Sequence, residues 1–252
     1  MAAPARVVYC LRQWDRALVL SQRLSLWLTR AHALEEEMAL GNLGLDLLGQ
    51  SRILYGRAGE LEGLGRDEDD FAYGRSPEEF LSPLLLEQPD HDFAWVVVRQ
   101  LVHDAWAMPF WSALRSSRDE TLAALAGKAV RETAYHWRHA RSWVVRLGDG
   151  TEESHLRTQA AVDGLWPFVS ELFESDEIEQ ELVAEGVAVD PLSLLDEWRE
   201  RVDAALNEGG LRRPSVLDDA PTGGRSGRHG SDFFALLDTL QSVAKEHPGA
   251  RW

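Results

Sequence analysis

The sequence predicts an all-α protein. A 3.6-residue recurrence of apolar side chains runs through most of its 252 residues, and strand-like alternation is nearly absent. The Gly/Pro/Asp clusters that break this pattern fall between long periodic segments rather than at the short intervals of a β protein.

The first helix is expected over about Trp14 to Arg30, with Trp14, Leu18, Ser21, Ser25 and Leu28 on one stripe. A second spans about Leu34 to Glu60, and Glu35, Glu36 and Glu37 at its start suit the positive end of a helix dipole. Gly63, Gly65, the acidic run Asp67 to Asp70, Gly74, Pro77 and Pro83 then form a connection of solvated surface with short helical turns. A third helix covers about His91 to Arg115 and a fourth about Asp119 to Leu147. Gly148, Asp149 and Gly150 interrupt the chain. A fifth helix restarts at Thr151 and reaches about Phe173, its last turn kinked or tightened by Pro167. A sixth begins near Pro191, a favourable first-turn residue, and ends near Leu206. Val187 to Val189 is the one β-like triplet. Residues 209–230 read as a long irregular connection, and Phe234, Leu237 and Leu240 restore a helical pattern up to Glu246.

Helices two to four, at about 25 residues, are each roughly 38 Å long. The long link between the second and third permits a crossover that leaves them parallel. That is the ferritin-like arrangement, a four-helix bundle with one crossover. The expectation is one domain over 1–252, with a bundle core of about 12–206, additional helices, and a C-terminal arm of about 207–252.

Composition excludes several function classes. Formal charge is −16, from 42 acidic and 26 basic side chains, and such a surface repels phosphate backbones. No apolar run approaches the roughly 20 residues of a membrane span. The N-terminal segment Met1 to Cys10 does not read as a secretory signal, so the expected location is the cytoplasm. One cysteine, Cys10, excludes an intrachain disulfide and Cys-based metal sites; it is placed in an exposed N-terminal segment. Ten tryptophans point to large packed or partner-facing surfaces. No Walker loop or nucleophile elbow occurs.

Ferritin-like bundles often hold two metal ions with a Glu from each of two helices and a Glu-x-x-His pair from each of the other two. Polar residues do interrupt the apolar stripes here: Glu35, Asn42 and Asp46 in the second helix, Asp104 in the third, and Glu132, His136 and His139 in the fourth. They form either a degenerate site or a hydrogen-bonded core network. The count fails for two metals. Ser21 and Ser25 stand where the first helix needs a carboxylate, no Glu-x-x-His opens the second helix, and Tyr135 sits three residues after Glu132. The literal match Glu152 to His155 follows a Gly-Asp-Gly turn, where helix capping accounts for the acids.

Leu34–Arg52 (LEEEMALGNLGLDLLGQSR), Gly65–Asp70 (GRDEDD), Glu87–Asp90 (EQPD) and Asp92–Ala94 (DFA) are recognisable together. So are Arg99-Gln100, Asp104–Trp106 (DAW), Glu132 with Tyr135-His136, and Val145–Ser154 (VRLGDGTEES). Leu165-Trp166-Pro167, Glu171–Phe173 (ELF) and Pro248–Trp252 (PGARW) complete the series. In this order, over nearly the whole chain, they resemble the C-subunit family of the phenylacetyl-CoA epoxidase complex. The resemblance implies a bacterial complex that epoxidises the aromatic ring of phenylacetyl-CoA. In that complex the sister ferritin-like A subunit holds the di-iron site and the substrate, a reductase supplies electrons, and a small further subunit is required. The C-type protein shares the fold, has lost the ligands, and supports its A-type sister without catalysing. On this basis Asp46, Asp104, Glu132 and His136 are expected as a polar remnant with no catalytic role, and no cofactor is expected in this chain, the iron lying in the partner. Pro109 and His139 depart from the family pattern. Two other readings stay open on the residues alone: a free-standing di-iron oxygenase or iron-storage protein, and a helical ligand- or regulator-binding module unrelated to phenylacetate.

Overall fold

The computed structural model describes residues 4–215 and 220–250. Among these the chain forms ten α-helices: α1 Ala5–Ser25, α2 Leu34–Glu62, α3 Glu68–Tyr73, α4 Leu84–Glu87, α5 Phe93–Leu114, α6 Glu120–Gly148, α7 Glu152–Leu165, α8 Glu177–Ala184, α9 Leu195–Glu208 and α10 Ser231–Glu246. Short 3-10 turns supplement them, and no strand occurs among the described residues. The all-α expectation holds.

The helix ends follow local chemistry. Asp67, Asp92, Asp119, Thr151 and Asp176 each accept hydrogen bonds from backbone N–H groups in the first turn, satisfying donors that a helix start leaves open. Gly63 closes α2 in the left-handed region at φ 70°.

Several details differ from expectation. α1 begins at Ala5 rather than near Trp14 and ends at Ser25 rather than near Arg30: Val7, Cys10 and Leu11 continue the stripe of Trp14 and Leu18 upstream, while residues 26–30 leave the helix as turns; Cys10 is buried, not exposed. The expected fifth helix ends at Leu165 and continues as 3-10 turns over Trp166–Phe168 and Ser170–Phe173, with Pro167 supplying no amide hydrogen for an α turn. The Val187–Val189 triplet closes α8 instead of starting a strand: Gly186 turns left-handed at φ 73°, and the Val187 and Ala188 amides both donate to the Leu182 carbonyl at 2.8 and 3.1 Å. α8 itself, started by the reciprocal Asp176–Glu179 cap, is an addition to the expected helices.

The chain divides into two compact units, residues 1–89 with 223–252, and residues 90–222. In the first, α1 and α2 pack antiparallel: Trp14 meets Tyr55 edge-on at 4.9 Å, and near the other end the Ser21 hydroxyl donates to the Gly44 carbonyl at 2.8 Å. A Cβ at position 44 would lie 3.6 Å from the Ser21 carbonyl oxygen, an ordinary van der Waals contact, so the two helices approach closely here without requiring glycine. α10, the helix of the expected arm, buries Phe233, Leu236 and Leu237 against α1, α3 and α4, so this part of the arm covers its own unit. The arm residues 216–219 and the final pair 251–252, including Trp252 of the closing motif, lie outside the described residues.

In the second unit α5 and α6 pack antiparallel, with Phe93 edge-on to Trp143 at 5.2 Å, and α7 and α9 pack against both. α5 is buried along nearly its whole length despite Pro109. Two indoles fix its neighbours: Trp106 donates to the Leu172 carbonyl at 2.8 Å, and Trp198 of α9 to the Val102 carbonyl at 3.0 Å.

Candidate functional site

In the first unit the polar centre is Asp15, a carboxylate with no solvent exposure midway along α1. It accepts from Tyr55 Oη of α2 at 2.8 Å, from the Leu81 amide at 2.7 Å, and from both terminal nitrogens of Arg75. Arg75 spends its other donors on the Phe71 and Glu79 carbonyls at 2.6 and 2.9 Å, and its guanidinium lies 4.0 Å over the Phe80 ring. Burial opposes the charge on Arg75, but Asp15 and Tyr55 outweigh it and hold the guanidinium pKa above its ordinary value. Burial, reinforced by the Asp15 charge, pushes the Tyr55 phenol well up. Tyr55 is therefore a neutral donor, and the Asp15–Arg75 pair is a closed ionic lock.

A second lock fastens the start of α10. His229 faces an acceptor through each ring nitrogen, Glu87 Oε2 at 2.9 Å and the Phe80 carbonyl at 2.8 Å. The other Glu87 oxygen accepts from the Gly230 amide at 3.0 Å, and Arg23 of α1 donates to the Glu87 carbonyl. Further along α10, Gln241 donates to the Ala72 and Arg75 carbonyls at 3.3 and 3.0 Å.

In the second unit Asp104 is wholly buried on α5. Gln100 Nε2, one turn earlier, lies 2.9 Å from both carboxylate oxygens, and His103 Nδ1 lies 3.0 Å from Oδ1. Burial drives the Asp104 pKa well above the ordinary carboxylate value, only partly offset by the Gln100 hydrogen bond. Arg99 and Asp90 form a second buried pair at 2.6 Å.

The residues picked from sequence are distributed as follows. Asp46 is half-buried on α2 of the first unit, whereas Glu35 and Asn42 on the same helix are exposed. The other three belong to the second unit: Asp104 as described, and Glu132 and His136 one turn apart on α6. His136 is buried; Glu132 is mostly covered and pairs with Lys128 at 3.0 Å. The Glu152–His155 match is a cap: Thr151 accepts from the Ser154 amide, and His155 Nδ1 meets the Gly148 carbonyl at 2.7 Å. Within either unit, no group of three or more His, Cys, Asp or Glu side chains among the described residues has the arrangement of a metal site. Ser21, which stands on the expected first-helix stripe, donates to the Gly44 carbonyl, and Glu132 pairs with Lys128.

The sequence profile of the family described as "Phenylacetic acid catabolic protein" matches residues 2–252. The chain belongs to this family. Its members are ferritin-like, which is the fold class expected from helix lengths and connections. Within the family, the chain is 43% identical over 244 residues to the C subunit of 1,2-phenylacetyl-CoA epoxidase from Escherichia coli (strain K12), covering 97% of this chain and 98% of that protein. The resemblance read from the scattered segments is thereby confirmed, and the family's name places the chain in phenylacetic acid catabolism.

Sequence reading missed both locks of the first unit. Asp15 carried a weak signal, as an acid inside an apolar helical stripe. Arg75 and His229 carried none: each lies in a non-periodic connection, 60 and 142 positions from its carboxylate partner.

Proposed function

We propose that this chain is the non-catalytic, structural subunit of a phenylacetyl-CoA epoxidase, binding and supporting the di-iron catalytic A subunit in aerobic phenylacetate breakdown. The observation that carries the reading is the 43% identity that runs through 98% of the E. coli relative. Iron belongs to the partner in this reading, and the chain contributes a rigid helical surface. The buried carboxylates support that role, since Asp15, Glu87 and Asp90 are each engaged by cations and amides of their own unit. The complex works in the cytoplasm on this reading; among the described residues no helix is long and apolar enough to cross a membrane.

α2 offers the surface. Leu34, Met38, Leu45 and Leu48 are 68, 61, 66 and 37% exposed, and their spacing of four, seven and three sets them on one helix face. Ile53 flanks them at 43%, and a Cβ added to Gly56 would meet nothing within 4 Å. The stripe presents on the order of 400 Å² of apolar surface, the size of patch that marks interaction sites on monomers. Tryptophans, expected as partner anchors, mostly serve the core instead: Trp14, Trp27, Trp106, Trp111, Trp137, Trp166 and Trp198 are all buried. The anchors are therefore the aliphatic residues of α2.

The test is co-expression with the di-iron sister protein, followed by measurement of the mass of the purified complex. Wild-type chain is expected to co-purify stoichiometrically. Leu45→Arg is expected to reduce recovery of the partner by about tenfold with an unchanged melting temperature, as loss of a hot-spot side chain does. A chain that stays alone, or a Leu45→Arg complex as tight as wild type, contradicts the reading or its surface respectively.

A further inference from the structure

A cavity of about 160 Å³ opens in the second unit between the two 3-10 turns that follow α7 and the first turn of α9. Its walls are aromatic. Trp166 and Trp198 lie 5.6 Å apart with their planes tilted by 38°, and Phe173 stands edge-on to Trp198 at 5.2 Å. The Trp198 indole cannot swing in to fill the space, because its N–H is committed to the Val102 carbonyl at 3.0 Å. The volume is that of cavities of roughly 150 Å³ that stay dry and accept one benzene ring.

Three polar groups complete the lining. Ser170 Oγ is buried and makes no hydrogen bond to another protein atom, which leaves its donor and acceptor open to a ligand. Arg199 and Arg213 stand at the mouth with side chains 46 and 39% exposed. Each holds one surface carboxylate, Asp196 at 3.7 Å and Asp203 at 2.8 Å through Nε, and a guanidinium with five N–H donors retains others for an incoming anion. Two cations at an apolar opening are conspicuous on a chain of charge −16.

We propose that this cavity binds a small monocyclic aromatic carboxylate, with the ring against Trp166, Phe173 and Trp198 and the carboxylate at Arg199 and Arg213. Ser170 supplies a hydroxyl to the ligand's polar end. The volume suits a single ring, and the arginines select an anion over a neutral ring. The site is independent of the assembly reading and is measured on the full chain alone.

The experiment is titration of the full chain with phenylacetate, the simplest ring bearing a carboxylate on a short arm, followed by tryptophan fluorescence and calorimetry. Phenylacetate is expected to bind one saturable site with Kd of about 1 mM or tighter. Acetate, lacking the ring, gives no signal, and phenylacetamide, lacking the charge, binds at least about fivefold more weakly. The double variant Arg199→Gln, Arg213→Gln loses about tenfold affinity for phenylacetate and none for phenylacetamide, since both arginines are at the surface and their removal leaves the walls intact. Ser170→Leu fills the cavity and abolishes both. No saturable binding by about 10 mM overturns the proposal, as does binding unchanged in the two variants or equal affinity for acid and amide.

Discussion

Asp15 and Arg75 lie 60 residues apart in the chain and meet as a buried ion pair, their side chains 0% and 2% exposed. Tyr55, Leu81, Phe71 and Glu79 supply the further hydrogen bonds around the pair. Such a pair is costly to break from one side, because the surviving partner is left charged and dry. Arg75→Met or Asp15→Leu is therefore expected to lose about 3–5 kcal/mol in urea unfolding. The double variant Asp15→Leu, Arg75→Met recovers much of that loss. Single variants within about 1 kcal/mol of wild type would place the pair in solvent.

The His229–Glu87 latch gives stability a pH dependence. Burial lowers the imidazole pKa, but the hydrogen bonds to Glu87 and the Phe80 carbonyl, with the Glu87 charge, outweigh it and raise the value above its ordinary 6.5. A group raised on folding contributes fully below its unfolded pKa and loses that contribution as pH rises through the folded one. Unfolding free energy is expected to fall as pH rises above about 6.5 and through the raised folded value, and His229→Gln to flatten the slope. Equal slopes in the two proteins would show that the imidazole is neutral in the latch.

Asp104 gives stability a second dependence on pH. Its carboxyl is held well above the ordinary value of 3.8 by burial, and its partners are an amide and the neighbouring His103 rather than an arginine. With its pKa raised on folding, Asp104 favours the folded state most below its unfolded pKa, and that contribution is lost as pH rises through the folded value. Asp104→Asn keeps the shape and removes the ionisation, so the melting temperature at neutral pH should stay level or rise. A fall of several degrees would show instead that Asp104 is ionised against a charged His103.

How much of this was legible in sequence depends on periodicity. The long helices α2, α5 and α6 were, to within two or three residues, because a 25-residue amphipathic pattern outweighs local noise. α1 was misplaced at both its start and its end, and α8 was missed, since short runs beside turns carry too few periods to fix a boundary. Among the polar residues, Asp104 and His136 were correctly read as inward, since each sits on a stripe of large apolar neighbours. Glu35 and Asn42 were not: the face of α2 that carries Leu34, Met38 and Leu45 is apolar yet exposed, and an apolar stripe does not reveal whether its own chain or another covers it. Arg75 and His229 were invisible because irregular segments carry no register.

Elemental analysis bears on the ligand set directly. Ser21 is spent on the Gly44 carbonyl and Glu132 on Lys128, so the purified chain is expected to hold well under one iron per molecule. Two tightly bound irons per chain, the number a complete di-iron set requires, would overturn the structural reading.

On the proposed reading this chain enables a sister protein's chemistry without performing it. The most direct test is reconstitution of phenylacetyl-CoA ring epoxidation from the di-iron partner with its reductase, in the presence and in the absence of this chain. Turnover is expected only when the chain is present, and none from the chain with reductase alone. Equal turnover in its absence would contradict the supporting role.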